Sequence, residues 1–66
     1  MEIKYPNITV QLTGEDGNAF AILVKVKRAL RKGGVGEEEI GEFREDAMSG
    51  DYDHLLMTAM NWVDVQ

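Results

Sequence analysis

A chain of 66 residues without cysteine has no disulfide framework and no thiolate metal site, so one small domain must gain its stability from well-packed helices or from a partner subunit. Twelve acids against seven bases give a formal charge of −5, which argues against a general binder of nucleic acid, duplex above all, but leaves room for a local basic face. No apolar run approaches the roughly 18 residues of a membrane span, and the N-terminus lacks a charged-then-apolar signal design, which predicts a cytoplasmic protein.

Met1 to Pro6 reads as a frayed lead-in, because Pro6 lacks an amide donor and biases Tyr5 towards an extended backbone. From Asn7 to Thr13 the residues alternate, with Ile8, Val10 and Leu12 on one face and Thr9, Gln11 and Thr13 on the other, the pattern of a half-buried strand. A lone strand leaves backbone groups unpaired, so it needs a partner. Either the tail Trp62-Val63-Asp64-Val65 supplies a short second strand, or the same strand of a second subunit pairs across a twofold axis.

The strand runs into Gly14-Glu15-Asp16-Gly17-Asn18, where the glycines permit a sharp reversal and Asn18, with Asp16 competing, is placed to cap a helix. From Ala19 to about Lys32, the residues Ala19, Ile22, Leu23, Val26, Ala29 and Leu30 recur at the spacing of one buried helix face, while Phe20 and Val24 lie off it. Lys25, Lys27, Arg28, Arg31 and Lys32 crowd the second half, where cations complement the negative helix end, and Gly33-Gly34 stops the helix.

A second helix starts at Gly36, with Glu37, Glu38 and Glu39 in its first turn and Val35 placed to staple to Ile40. Ile40, Phe43 and Ala47 make a narrow apolar stripe, and Gly41 within it predicts marginal stability or a close helix contact. Ser49-Gly50 closes this helix and Asp51 caps a third, in which Tyr52, Leu55, Leu56, Ala59, Met60 and Val63 hold helical spacing while Met57 and Trp62 fall outside it. The predicted class is α+β: one N-terminal strand followed by three helices.

Chemistry-bearing motifs are weak. The Gly14 to Asn18 turn stands where amides cradle phosphate, but it matches neither dinucleotide nor P-loop spacing, and Glu15 and Asp16 would repel an anion. Ser49, Asp51, Asp53 and His54 bring a nucleophile, carboxylates and an imidazole into six residues. A helix start points such neighbours in different directions, so capping is the expected role, and one histidine leaves zinc underprovided. Neither a catalytic group nor a metal or other cofactor is expected. The cations of the first helix, with Tyr52 and Trp62 as stacking surfaces, are read first as a solvated, ion-paired face. Glu37, Glu38, Glu39, Glu42, Glu45 and Asp46 give the second helix a dense negative surface, suited to solubility or to a basic partner.

The segments Gly14-Glu15-Asp16-Gly17-Asn18-Ala19-Phe20-Ala21-Ile22-Leu23, Ser49-Gly50-Asp51-Tyr52-Asp53-His54-Leu55-Leu56 and Trp62-Val63-Asp64-Val65 resemble a family of small bacterial and phage proteins that carries no assigned activity. The family pattern often has glycine after Ile-Leu, where this chain has Val24. The resemblance implies a phage or mobile-element origin; the want of a convergent nucleophile, base and deep pocket in so short a chain predicts a non-enzymatic role. Three roles follow as expectations. The first is an inhibitor that binds a host protein, with Glu37, Glu38, Glu42 and Glu45 as contacts. The second is a sponge holding a nucleotide at a subunit interface through Arg28, Arg31, Tyr52, His54 and Trp62. The third is a housekeeping interaction module. A homo-oligomer is expected in addition, its interface drawing on Ile8, Val10, Leu12, Phe20, Val24 and Trp62.

Overall fold

In the computed structural model, residues 3–12 and 19–66 are described. The Gly14 to Asn18 reversal and the Asn18 or Asp16 cap lie outside them. The elements in order are β1 (Tyr5–Val10), α1 (Ala19–Lys32), α2 (Glu37–Ala47), α3 (Tyr52–Trp62) and β2 (Val63–Val65).

The strand begins two residues earlier than its alternation predicts, and Tyr5 and Pro6 belong to it instead of fraying. Contacts distant in sequence hold this end: the Lys4 amide donates to the Asn61 carbonyl at 2.9 Å. Pro6 is tolerated because it falls in the irregular stretch between the Tyr5↔Val63 and Thr9↔Asp64 pairs, where no regular ladder calls for its missing donor.

Of the two partners expected for the strand, the tail is the one that pairs, and it does so in parallel, with Val10 opposite Val65. The pairing runs one step further, as the Gln66 amide donates to the Val10 carbonyl at 2.9 Å and the Leu12 amide to the Gln66 carbonyl at 3.0 Å. A parallel pair cannot be closed by a hairpin, so the whole three-helix segment acts as the crossover between the strands.

That crossover supplies the core. α1 buries Ile22, Leu23, Val26 and Leu30, and α2 buries Ile40, Phe43 and Ala47. On α3 the buried set is Leu55, Thr58, Ala59 and Trp62, an i, i+3, i+4, i+7 stripe. This corrects the expected stripe: Tyr52 and Met60 are exposed, and Trp62 is buried. Trp62 ends the helix where the chain turns directly into β2, and its ring packs edge-on to Phe43 at 5.4 Å and tilted against Tyr5 at 6.0 Å. Val10 and Val63 contribute the sheet's share of the same core.

The helix ends follow local chemistry. Gly34 takes φ +91°, while its amide donates to the Arg31 carbonyl and the Val35 amide to the Leu30 carbonyl, the paired bonds of a Schellman stop. Gly36 caps α2 with extended backbone and no side-chain bond, and its carbonyl accepts from the Ile40 amide at 3.0 Å. Val35 and Ile40 both pack into the core at this turn. Asp51 caps α3 through Oδ1, which accepts from the His54 amide at 2.9 Å.

Candidate functional site

The acids of α2 divide by their partners, and Asp46, near its end, lies beside His54, Oδ1 to Nε2 at 3.6 Å. Glu37 is bound in a fork by Arg31, Nε to Oε2 at 2.8 Å and Nη2 to Oε1 at 3.0 Å. That hydrogen bond and charge hold the Glu37 carboxyl below its usual range and push the guanidinium up. Glu39 accepts a hydrogen bond from the Tyr5 hydroxyl and an ion pair from Lys4 at 3.1 Å. Glu38, Glu42 and Glu45 remain, at i, i+4 and i+7 on the side of α2 opposite Ile40, Phe43 and Ala47. All three are exposed, and none forms an ion pair among the described residues. Gly41 sits on the same outward face, with nothing within 4 Å of where a Cβ would stand, so of the two alternatives expected at this glycine, marginal stability or a close helix contact, the contact is not made among the described residues.

The five residues expected to hold a nucleotide do not gather into one site. Tyr52 shares a shallow recess with Ala19 and Met48 at the start of α1. Arg31 lies about 18 Å of helix rise further along, at roughly 1.5 Å per residue, and is occupied by Glu37. Trp62 is inside the core with the Lys4 ammonium 4.2 Å from its ring centroid, an arrangement that leaves no free stacking face on that side. Arg28 lines a different recess, between α1 and β1.

His54 and Ser49 do meet, with Nε2 3.1 Å from Oγ. The arrangement is nevertheless a helix stop. Nε2 also lies 2.8 Å from the Asp46 carbonyl oxygen, which can only accept, so this nitrogen carries a proton and donates it there. The Ser49 hydroxyl donates to the same oxygen at 2.7 Å. Both side chains thus converge on the Asp46 carbonyl at the end of α2, which also accepts from the Ser49 amide at 3.2 Å, and neither is positioned as base or nucleophile. Gly50 allows the approach, since a Cβ there would fall 2.8 Å from the His54 Cβ and Cγ. Asp53 stands in the first turn of α3 as a favourable charge.

The residues expected at a subunit interface separate as well. Val10 and Trp62 face the interior of the same chain, and Ile8 and Leu12 are half-buried against its core. Phe20 and Val24 are open on α1, Phe20 at 69% of its full exposure. Met57 and Met60 are open on α3.

A further cluster escapes sequence reasoning. Lys4, Tyr5, Glu39 and Trp62 knot the start of β1 to α2 and to the end of α3. The hydrogen bond to Glu39, with desolvation and the Glu39 and Glu42 charges adding to it, pushes the Tyr5 hydroxyl up to about 12. The Tyr5 and Lys4 bonds hold the Glu39 carboxyl below its ordinary value. No local signal announces these partners, which are 34 residues apart for Tyr5 and Glu39.

Among the described residues no group of histidine and carboxylate side chains could hold a metal ion, and no helix is long and apolar enough to cross a membrane. No protein-family model, curated protein or solved structure matches the chain.

Proposed function

We propose that this chain is a non-enzymatic protein-interaction module that presents the outward face of α2 to a basic surface of another protein. The observation that carries the reading is the division among the acids. Glu37 and Glu39 are paired within the fold, whereas Glu38, Glu42 and Glu45 form a stripe antipodal to the buried one, with no ion pair to a described residue. Such a stripe raises the association rate with a cationic partner and disfavours anionic ones. The likeness to phage proteins adds a host protein as the kind of partner, and binding there would inhibit by occupying its basic surface. The alternative of a housekeeping module differs only in the partner's role.

The test is co-purification from bacterial cells of a tagged wild-type chain beside a Glu38→Lys, Glu42→Lys, Glu45→Lys variant. A discrete partner retained by the wild type, released by raised salt and lost by the variant supports the proposal. A partner retained equally by both refutes it.

Self-association is a second reading, favoured by the exposure of Phe20 and Val24 one helical turn apart on α1. Sedimentation of Phe20→Glu beside the wild type decides it: a mass that is monomeric for both removes this reading.

A further inference from the structure

The geometry points to the free edge of β1 as a docking site for an extended, acidic polypeptide segment, which would add as a third strand beside α1. This is independent of the α2 face and engages a partner of opposite charge.

The argument starts from the backbone. The Val10 carbonyl and the Leu12 amide both point at Gln66 of the neighbouring tail. In a parallel ladder the main-chain groups of successive residues point to alternate sides, so those of Thr9 and Gln11 point away from β2. Among the described residues no strand lies on that side, since the sheet has only the order β1-β2. The outward edge therefore offers donors and acceptors at the spacing an added strand needs.

Beside the edge runs a shallow recess of about 250 Å³, lined by Thr9, Val10 and Gln11 from the strand and by Lys25, Arg28 and Lys32 from α1. It continues along Asn7 and Ile8 to Gly33, with Lys32 shared. A third strand would lie about 4.8 Å from β1, and every second side chain would project towards the helix layer. Arg28 and Lys32 are one helical turn apart there, both exposed and neither in an ion pair with a described residue. Side chains reaching that row are accommodated if they are carboxylates.

The charge also argues against a second copy as occupant. Antiparallel addition of β1 to β1 across a twofold axis would set the two α1 helices side by side and bring Arg28 and Lys32 of one copy towards those of the other, a like-charge juxtaposition that opposes pairing. An acidic segment meets the same cations favourably.

The experiment is amide hydrogen exchange, read residue by residue on the full chain, with and without a ten-residue peptide of alternating threonine and glutamate. The expected result is that exchange at Thr9 and Gln11 slows by about tenfold or more at saturating peptide, while a threonine-lysine peptide has no effect. Gln11→Pro removes an outward donor where an edge strand tolerates proline, so it should abolish binding with the circular dichroism unchanged. Arg28→Glu with Lys32→Glu changes exposed side chains only and should weaken the peptide by about tenfold or more. The inference is overturned if the acidic peptide leaves both amides unprotected, or if the folded double variant binds as tightly as the wild type. It is equally overturned if a single-stranded oligonucleotide protects these amides better than the peptide, or if the protein alone gains their protection with concentration, which would make a second copy the occupant.

Discussion

Gly41→Ala separates the stability of α2 from its use. The position lies in the middle of an eleven-residue helix and faces outward. A Cβ built there meets nothing within 4 Å, so the substitution introduces no clash and fills no cavity. What remains is the intrinsic difference between glycine and alanine in a helix interior, about 0.8–1.0 kcal/mol in favour of alanine. At about 2.1 cal/mol/K per residue, a chain of 66 residues unfolds with an entropy near 0.14 kcal/mol/K, so the gain amounts to about 6–7 °C in the melting temperature. Thermal unfolding followed by circular dichroism at 222 nm reads it directly. An unchanged or lowered midpoint would show that residue 41 is not in regular, exposed helix, and would refute the outward placement of this face of α2. The same variant informs the proposed function, because Gly41 lies among Glu38, Glu42 and Glu45. A partner whose backbone approaches α2 closely at this notch would bind the stabilised variant less tightly.

Three further predictions follow from the structure. Gly34→Ala must hold a side chain at φ +91° and should destabilise by about 1–2 kcal/mol, which denaturant titration measures as a lowered midpoint with unchanged slope. Asp51→Ala removes the cap to the His54 amide and should cost about 1 kcal/mol, whereas Asp51→Asn keeps an accepting oxygen and should lose much less by the same titration. The knot of Tyr5 and Glu39 should limit stability at both ends of the pH range. Glu39 has its carboxyl lowered, so its contribution is present above the ordinary value of 4.5 and lost as pH falls through the lowered one. Tyr5 is raised, so its contribution is present below 10.0 and lost as pH climbs towards about 12. Urea midpoints measured across pH should show both arms, and Tyr5→Phe should remove the alkaline one and shrink the acid one.

The helices were legible because their boundaries are written locally. Gly33-Gly34, Gly36 and Asp51 each act through bonds to neighbours within a turn, and each stands at an end of α1, α2 or α3. The start of the chain departs from its local signals for the opposite reason. Pro6 argues locally for a frayed segment, while the groups that order it, Glu39, Asn61 and Trp62, are more than thirty residues away. Trp62 falls off the tidiest helical stripe, yet it is buried, because the helix passes straight into β2 and its last turn is covered by β1 as well as by α2. Among the charges, composition located an acidic helix but could not sort it. That Glu37 is held by Arg31 and Glu39 by Lys4 and Tyr5 depends on how α2 sits against the turn before it and the strand above it.

The parallel sense of the sheet ties these surfaces together. With the inner edge of β1 taken up by β2 and all three helices spent on the crossover, no described element covers the outer edge of β1. An open edge invites unselective pairing, and charged side chains beside it are a common defence. Lys25, Arg28 and Lys32 stand where such a defence is needed, along the recess that the edge shares with α1. A row of one sign does not close an edge to every strand, however. It opposes addition of a copy of the same edge, which brings the same row with it, and it favours a strand that carries carboxylates at alternate positions. Cations that oppose self-pairing through β1 would thereby also set the charge of the segment it can accept.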